Sequence, residues 1–156
     1  MTGALFGAPF LFQLHFIICY FARNYCLKIS KTASVIAVGW LLFVTILLCI
    51  PGSKLPRISW NDQVLLDKWS HIFLFLVLVF LWCRIFLRNT SKFSSKNIYV
   101  TITVLSMIYG IGMEIVQHYF IAFRSFDYGD MIADAIGSIG GYFISVKQFQ
   151  KSSFRK

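Results

Sequence analysis

The sequence predicts an all-α fold: a polytopic bundle of transmembrane helices, with four core helices and a fifth at the N-terminus. Hydrophobic residues make up 58% of the chain and charged residues only 13%, whereas soluble domains contain about 45–50% and about 25%. The hydrophobic residues occur in continuous runs, which indicate helices, because membrane strands alternate apolar and polar residues. Each run is close to the ~20 residues with which a helix crosses the bilayer.

The candidate helices are residues 4–22, 33–50, 69–87, 98 to about 120, and about 131–146. The segment 33–50 ends at Pro51-Gly52, because proline cannot continue the hydrogen-bond ladder of a helix. We expect Asp67 to cap the third segment, the polar residues 94–97 to open the fourth, and Asp130 to open the fifth.

The first segment contains Pro9, Gln13 and His15 and lacks the features of a signal peptide. We interpret it as a fifth span with its N-terminus outside; the alternatives are an interfacial helix and a start codon placed too early. The chain then divides into an N-terminal hydrophobic segment (1–30), a transmembrane domain (31–147) and a basic cytoplasmic tail (148–156).

The net charge of +9 comes from basic residues at the ends of the predicted helices. There they face anionic lipid headgroups, so we predict membrane lipids as partners and exclude nucleic acid. The side of the membrane richer in lysine and arginine is cytoplasmic. That side carries Arg23, Lys28, Lys31, Arg84, Arg88, Lys92, Lys96, Lys147, Lys151, Arg155 and Lys156. The other side carries only Lys54, Arg57, Lys68 and Arg124. This places the C-terminus inside and the loops 51–67 and 121–130 outside.

All six acidic residues are predicted to lie toward that outer face. Several share a helix face with other polar groups, because Asp67 and His71, and likewise Asp130 and Asp134, are four residues apart. Ionisable groups within a membrane usually face the bundle interior and carry function. The predicted ligand-binding or functional polar cluster consists of Asp67, Lys68, His71, Glu114, Gln117, Arg124, Asp127, Asp130 and Asp134.

Structural roles are the alternative for these groups, and capping alone can explain an aspartate at a helix start. Glu114 is embedded in its segment and needs a partner, for which we expect Arg124 or His71 in a buried ion pair. His71 is expected to bond to Glu114 or Asp134, or to contact a substrate or handle a proton. Gln117 is interpreted as a hydrogen-bond partner.

The last segment carries two glycines four residues apart. Gly137 and Gly141 continue the face of Asp130 and Asp134 as a small-xxx-small stripe, which lets helices approach closely. No metal and no cofactor are predicted, because no HExxH or comparable spacing is present. The residues that could meet at a metal ion are His71, Glu114, His118, Asp130 and Asp134.

The order and spacing of these residues resemble those of a known family. The motifs are Asp67-Lys68-x-x-His71, Glu114-x-x-Gln117, and Arg124-x-x-Asp127-x-x-Asp130-x-x-x-Asp134-x-x-Gly137-x-x-x-Gly141. Over residues 33–146 the chain resembles the VanZ-like family of bacterial membrane proteins, which implies a multi-pass protein of the bacterial cytoplasmic membrane. The family is named for a member linked to low-level teicoplanin resistance. Two departures are Phe75, where the family often has tyrosine, and Asp134, where it often has asparagine.

Three functions are compatible with this pattern. The first is an outward-facing polar pocket that binds a cell-envelope component, such as a lipid-linked precursor, with Arg124 engaging an anionic group. The second is an enzyme that performs acid/base chemistry on a lipid-linked substrate, although only Ser70 and Ser125 could supply a nucleophile. The third is a proton-coupled transporter using Glu114 and Asp134, which ranks last because few polar residues continue toward the inner side.

Overall fold

The computed structural model describes residues 31–51, 60–86, 92–122, 124 and 126–153. Its helices are α1 (Lys31–Leu48), α2 (Trp60–Phe86), α3 (Lys92–Phe120) and α4 (Tyr128–Ser153). Within this part of the chain there is no strand, so the predicted all-α class is confirmed. Each of the four predicted core segments is one helix. The first predicted segment, 4–22, lies outside the described residues.

The helix boundaries follow the sequence at some ends and differ at others. α1 ends at Leu48, and the amide of Cys49 still bonds to the carbonyl of Thr45 at 3.1 Å. The expected cap at Asp67 is wrong, since α2 begins at Trp60. Residues 94–97 likewise lie within the start of α3 rather than before it. Hydropathy marks only the apolar part of a helix, and polar residues such as those at 61–63 extend a helix without breaking it.

Three of these helices are long and apolar enough to cross a membrane, namely Lys31–Leu48, Leu66–Ile85 and Lys96–Phe120. α4 was predicted as a further span but is not among them. Its glycines and its two aspartates lower its hydropathy, and these residues face its neighbours. Its exposed surface is nonetheless apolar and includes Ile132, Ile136, Ile139 and Phe143. The crossing of the membrane by α4 therefore stays a prediction.

The helix interiors pack in two apolar layers beneath a polar end. The layer nearer the polar end joins α1, α2 and α3 through Leu41, Val44, Leu48, Leu74, Phe75, Leu78, Tyr109 and Met113. The farther layer contains Ala37, Val79, Cys83, Ile85, Ile98 and Tyr99, with Tyr142 and Val146 of α4 against it. Because successive helices run in opposite directions, the end of α3 and the starts of α2 and α4 meet above these layers.

α4 approaches α2 at two glycines. A side chain at Gly137 would collide with the backbone at Ile72, and one at Gly141 would lie 2.6 Å from the carbonyl oxygen of Leu76. Without side chains at these positions the two backbones come into direct contact, and dispersion over such close surfaces is the main attraction between helices in lipid. This contact holds Asp130 and Asp134 of α4 against the polar start of α2.

Candidate functional site

The candidate site lies at the end of the bundle where α2 and α4 begin and α3 ends. We define the polar cluster as the charged residues and the histidine gathered there: Asp67, Lys68, His71, Glu114, Arg124, Asp127, Asp130 and Asp134. All the acidic side chains that the structure describes belong to it. Several are almost completely buried, including Glu114 at 1% exposure and Asp134 at 2%.

A histidine–aspartate pair lies at the centre of the cluster. His71 Nδ1 and Asp134 Oδ1 are 2.8 Å apart, and both side chains are buried. Asp134 is thus the partner of His71, out of the two that the sequence suggested. The second ring nitrogen, Nε2, lies 4.0 Å from Asp130 Oδ2, which is beyond hydrogen-bond distance. A carboxylate bonded to Nδ1 fixes the orientation of the ring and leaves Nε2 directed at Asp130.

Lys68 connects α2 to the start of α4. Its Nζ atom donates to Asp127 Oδ2 at 2.8 Å and to Asp130 Oδ1 at 3.2 Å. The hydrogen bond from Lys68 holds the pKa of Asp127 below its ordinary value, and the backbone amide of Gly129 acts in the same direction. The folded state therefore gains stability from ionised Asp127 at neutral pH, and loses it as the pH falls through that lowered pKa.

Asp127 also determines where α4 begins. Its Oδ1 atom accepts a hydrogen bond from the amide of Gly129 at 2.6 Å, and its carbonyl accepts one from the amide of Asp130 at 3.2 Å. These contacts make Asp127 the N-cap of α4. The expectation that Asp130 opens this helix is therefore wrong: Asp130 lies within the first turn, and its carboxylate is free to face α2.

Glu114 has a different partner from those expected. Its Oε2 atom accepts a hydrogen bond from the backbone amide of Asp127 at 3.1 Å. Neither Arg124 nor His71 forms an ion pair with it in the described part of the chain, so the predicted pairing is corrected. Asp127, just before α4, lies against the end of α3 and brings its backbone amide to the carboxylate. The buried carboxylate is therefore hydrogen-bonded without a buried positive charge.

Gln117 lies beside the cluster and connects α3 to α1. Its Nε2 atom donates to the carbonyl oxygen of Leu48 at 2.8 Å. The last carbonyls of a helix have no partner within that helix, and this bond satisfies one of them. The structure therefore gives Gln117 a hydrogen-bonding role at the end of α1, apart from the ion pairs of the cluster.

Arg124 is the cation of the cluster with the weakest contacts. Its Nη1 atom lies 3.8 Å from Asp67 Oδ2, which is too long for a hydrogen bond, and its side chain is only 13% exposed. The Nε atom is buried with no hydrogen-bond partner among the described residues. A guanidinium offers five N–H donors, and buried donors are nearly always paired. Arg124 is therefore able to donate to a further acceptor.

Sequence reasoning missed one residue of the site and considered another that lies outside it. A side chain at Gly110 would lie 2.5 Å from Asp134 Oδ2, so this glycine gives the carboxylate its space. The signal was available, since Gly110 is four residues before Glu114 and shares its helix face. His118 is exposed and packs edge-on against Tyr119 and Phe126.

One group of side chains in the cluster has the composition of a metal site. A ligand atom from each of Asp67, His71 and Asp130 lies within 4.8 Å of the other two.

The candidate nucleophile Ser70 is exposed and donates a hydrogen bond to the carbonyl of Asp67 in its own helix at 2.9 Å. Ser125 lies outside the described residues.

A bundle with three helices long and apolar enough to cross a bilayer, and with carboxylates buried at one end, defines a helical membrane protein. The family model described as VanZ/LLP1 matches residues 6–149, and the chain belongs to this family. The matched region includes residues 6–22 of the first hydrophobic segment and the helices described above as far as residue 149. No curated protein and no solved structure matches the chain significantly.

Proposed function

We propose that this VanZ/LLP1 protein is a multi-pass protein of the bacterial cytoplasmic membrane whose polar cluster faces outward and binds an anionic cell-envelope component. A lipid-linked precursor carries both a membrane-embedded chain and a phosphate-bearing headgroup, so it suits a polar site at the end of a helical bundle. Altered tolerance to glycopeptides such as teicoplanin would follow from binding of the envelope component that these antibiotics encounter.

The distribution of basic residues supports this orientation. Arg84 and Lys96 lie at the end of the bundle opposite the cluster and belong to the side richer in basic residues. The tail would then be cytoplasmic. Fluorescence from green fluorescent protein fused to the C-terminus supports this arrangement, whereas activity of alkaline phosphatase fused there contradicts it.

The binding proposal rests mainly on the surroundings of Arg124. Its guanidinium is largely buried, its ion pair with Asp67 is long, and none of the described residues accepts a hydrogen bond from its Nε atom. Arginine binds phosphate and carboxylate groups through paired N–H donors, and such charged bonds are stronger when water is excluded. A phosphate oxygen placed beside Arg124 would accept a hydrogen bond from this guanidinium, whose nearest acidic partner among the described residues is 3.8 Å away.

Replacing Arg124 with alanine is expected to weaken the binding of a prenyl diphosphate at least tenfold, since a hydrogen bond to a charged group contributes about 1.5–3 kcal/mol. Farnesyl diphosphate is a suitable probe, and its affinity for the protein in phosphatidylcholine nanodiscs can be measured by microscale thermophoresis. Arg84→Ala is the matched control, because Arg84 is exposed at the opposite end of the bundle.

The probe without phosphate, farnesol, separates headgroup recognition from binding of the prenyl chain. We expect it to bind the Arg124→Ala protein and the wild type equally. Equal affinities of these two proteins for farnesyl diphosphate would contradict the proposed role of Arg124.

The His71–Asp134 pair favours a second candidate function, acid/base catalysis on a lipid-linked substrate. A buried carboxylate bonded to one imidazole nitrogen orients the other nitrogen for proton transfer. Because Ser70 is bonded to its own helix, the attacking group would be water. Release of inorganic phosphate or diphosphate from prenyl diphosphates by the purified protein tests this candidate, and no release by the wild type removes it.

A further inference from the structure

We propose that Asp67, His71 and Asp130 form a binding site for one divalent transition-metal ion. The ligands come from two helices, with Asp67 and His71 on one face of α2 and Asp130 in the first turn of α4. The sequence contains no HExxH or comparable spacing, and for that reason it predicts no metal. The proposed site is assembled across a helix–helix contact instead, so the proposal departs from that prediction.

The distances within the group fit an ion after a small adjustment. The three ligand atoms lie within 4.8 Å of one another, and His71 Nε2 lies 4.0 Å from Asp130 Oδ2. A tetrahedral ion with bonds of about 2.1 Å holds its ligand atoms about 3.4 Å apart. Rotation of the Asp67 and Asp130 side chains can supply the remaining movement, because neither ligand is a backbone atom.

His71 provides an observation beyond the clustering of carboxylates. Its side chain is 4% exposed, and its Nε2 atom faces Asp130 Oδ2 at 4.0 Å, which is beyond hydrogen-bond distance. Asp134 bonds to Nδ1, which is the arrangement by which proteins orient a metal-binding histidine and increase its basicity. A ring nitrogen on a buried histidine that faces a carboxylate at 4.0 Å is suited to bind a cation placed between the two.

The charge of the cluster also favours a bound cation. Its permanent cations are Lys68 and Arg124, whereas its carboxylates are Asp67, Glu114, Asp127, Asp130 and Asp134. Carboxylates therefore outnumber permanent cations at a partly buried site, and its buried members are costly in ionised form unless they are paired. A divalent ion adds two positive charges, whereas protonation of His71 adds one, so the ion compensates more of this excess.

The existing contacts leave room for the ion. Lys68 bonds to Oδ1 of Asp130, so Oδ2 stays available on the side of His71. The long distance of 3.8 Å between Arg124 and Asp67 means that turning the Asp67 carboxylate breaks no hydrogen bond in the described structure. Lys68 would remain bonded to the same carboxylate, where its charge lowers the affinity for a cation and, with Arg124, attracts an anion to the ion's open position.

The ligand types indicate which ion fits. One imidazole nitrogen and two carboxylate oxygens suit Zn²⁺ or Mn²⁺, whereas Mg²⁺ and Ca²⁺ prefer oxygen ligands alone and Cu⁺ prefers sulfur. Three protein ligands leave at least one coordination position open. That position would take water or an oxygen of an anionic group.

Metal binding is tested with the full chain, freed of any affinity tag, stripped with EDTA and held in detergent. Zn²⁺ is added in competition with a chromogenic chelator, and Mn²⁺ binding is followed by electron paramagnetic resonance. We expect one ion per chain. His71→Gln and Asp67→Asn should each weaken Zn²⁺ binding at least tenfold, as should Asp134→Asn, because loss of an outer carboxylate typically costs 10–100-fold.

His118→Gln is the matched control, because His118 is an exposed histidine near the same end of the bundle. Its affinity for Zn²⁺ should equal that of the wild type. Circular dichroism shows whether each variant keeps its helices, and Asp67→Asn keeps the test valid if His71→Gln unfolds, since Asp67 is only partly buried. Failure to bind either ion, or equal affinities of Asp67→Asn and the wild type, would overturn the proposal.

The metal site and the proposed binding function can fail separately. The metal titration contains no prenyl lipid, and the nanodisc titration depends on Arg124 rather than on the three metal ligands. A protein that binds Zn²⁺ but not farnesyl diphosphate supports the metal site alone, whereas the reverse result supports only the envelope-binding role.

Discussion

Replacing His71 with alanine is expected to destabilise the bundle by about 3–5 kcal/mol, the usual cost of removing one partner of a buried charged pair. Asp134 is 2% exposed, and His71 bonds to it at 2.8 Å. Without the imidazole, the carboxylate loses its partner and keeps Asp130 as a neighbour on the same helix face. The cavity left by the ring adds to the loss.

Unfolding by SDS in mixed micelles, followed by circular dichroism, measures this effect. His118→Ala is the control and should change the free energy of unfolding little, because His118 is exposed. Asp134→Asn should lower the free energy of unfolding less than His71→Ala, since the amide oxygen can still accept a hydrogen bond from Nδ1. Equal stabilities of His71→Ala and His118→Ala would show that the pair does not hold the helices together.

Replacing Gly137 with alanine is expected to separate α2 from α4 at the point where their backbones meet. The new methyl group would collide with the carbonyl group of Ile72, which cannot rotate away as a side chain can. Overpacking of this kind typically costs about 1–3 kcal/mol. Alanine favours helices over glycine by about 1 kcal/mol, so the steric loss must exceed that gain.

Gly39→Ala separates these two effects, because in the described part of the chain no atom beyond its chain neighbours and the backbone of its own helix lies within 4 Å of the position where its methyl group would be. It should leave the free energy of unfolding unchanged or raise it by up to ~1 kcal/mol. Both variants are measured by the same SDS titration. If Gly137→Ala is as stable as Gly39→Ala, the close approach of α2 and α4 is not the contact that stabilises this end of the bundle.

The sequence predicts the helices well where composition alone decides them. Continuous apolar runs predict four core helices, and Pro51 explains why α1 ends just before it. Helical periodicity also groups Asp67 with His71, and Asp130 with Asp134, because residues four apart share a face in any helix. These features depend on the local geometry of each helix, so they can be predicted without knowing which helices pack together.

Contacts across the bundle could not be predicted in the same way. Asp127 caps α4 and donates its backbone amide to Glu114, and both roles depend on the path of the loop. The sequence offers two candidate partners for His71, Glu114 and Asp134, and only the packing of the helices distinguishes them. The group formed by Asp67, His71 and Asp130 arises only when Gly137 lets α4 approach α2. The spacing of Gly137 and Gly141 predicts a close approach, but it does not specify which helix α4 meets or which side chains are brought together.

The proposal that the polar cluster recognises an anionic envelope component is tested most directly by native mass spectrometry of the protein extracted from bacterial membranes. The wild type and Arg84→Ala should carry a phosphate-bearing, lipid-linked envelope precursor, and Arg124→Ala should carry at most a tenth as much. An equal amount of precursor on Arg124→Ala, or none on the wild type, would contradict the account.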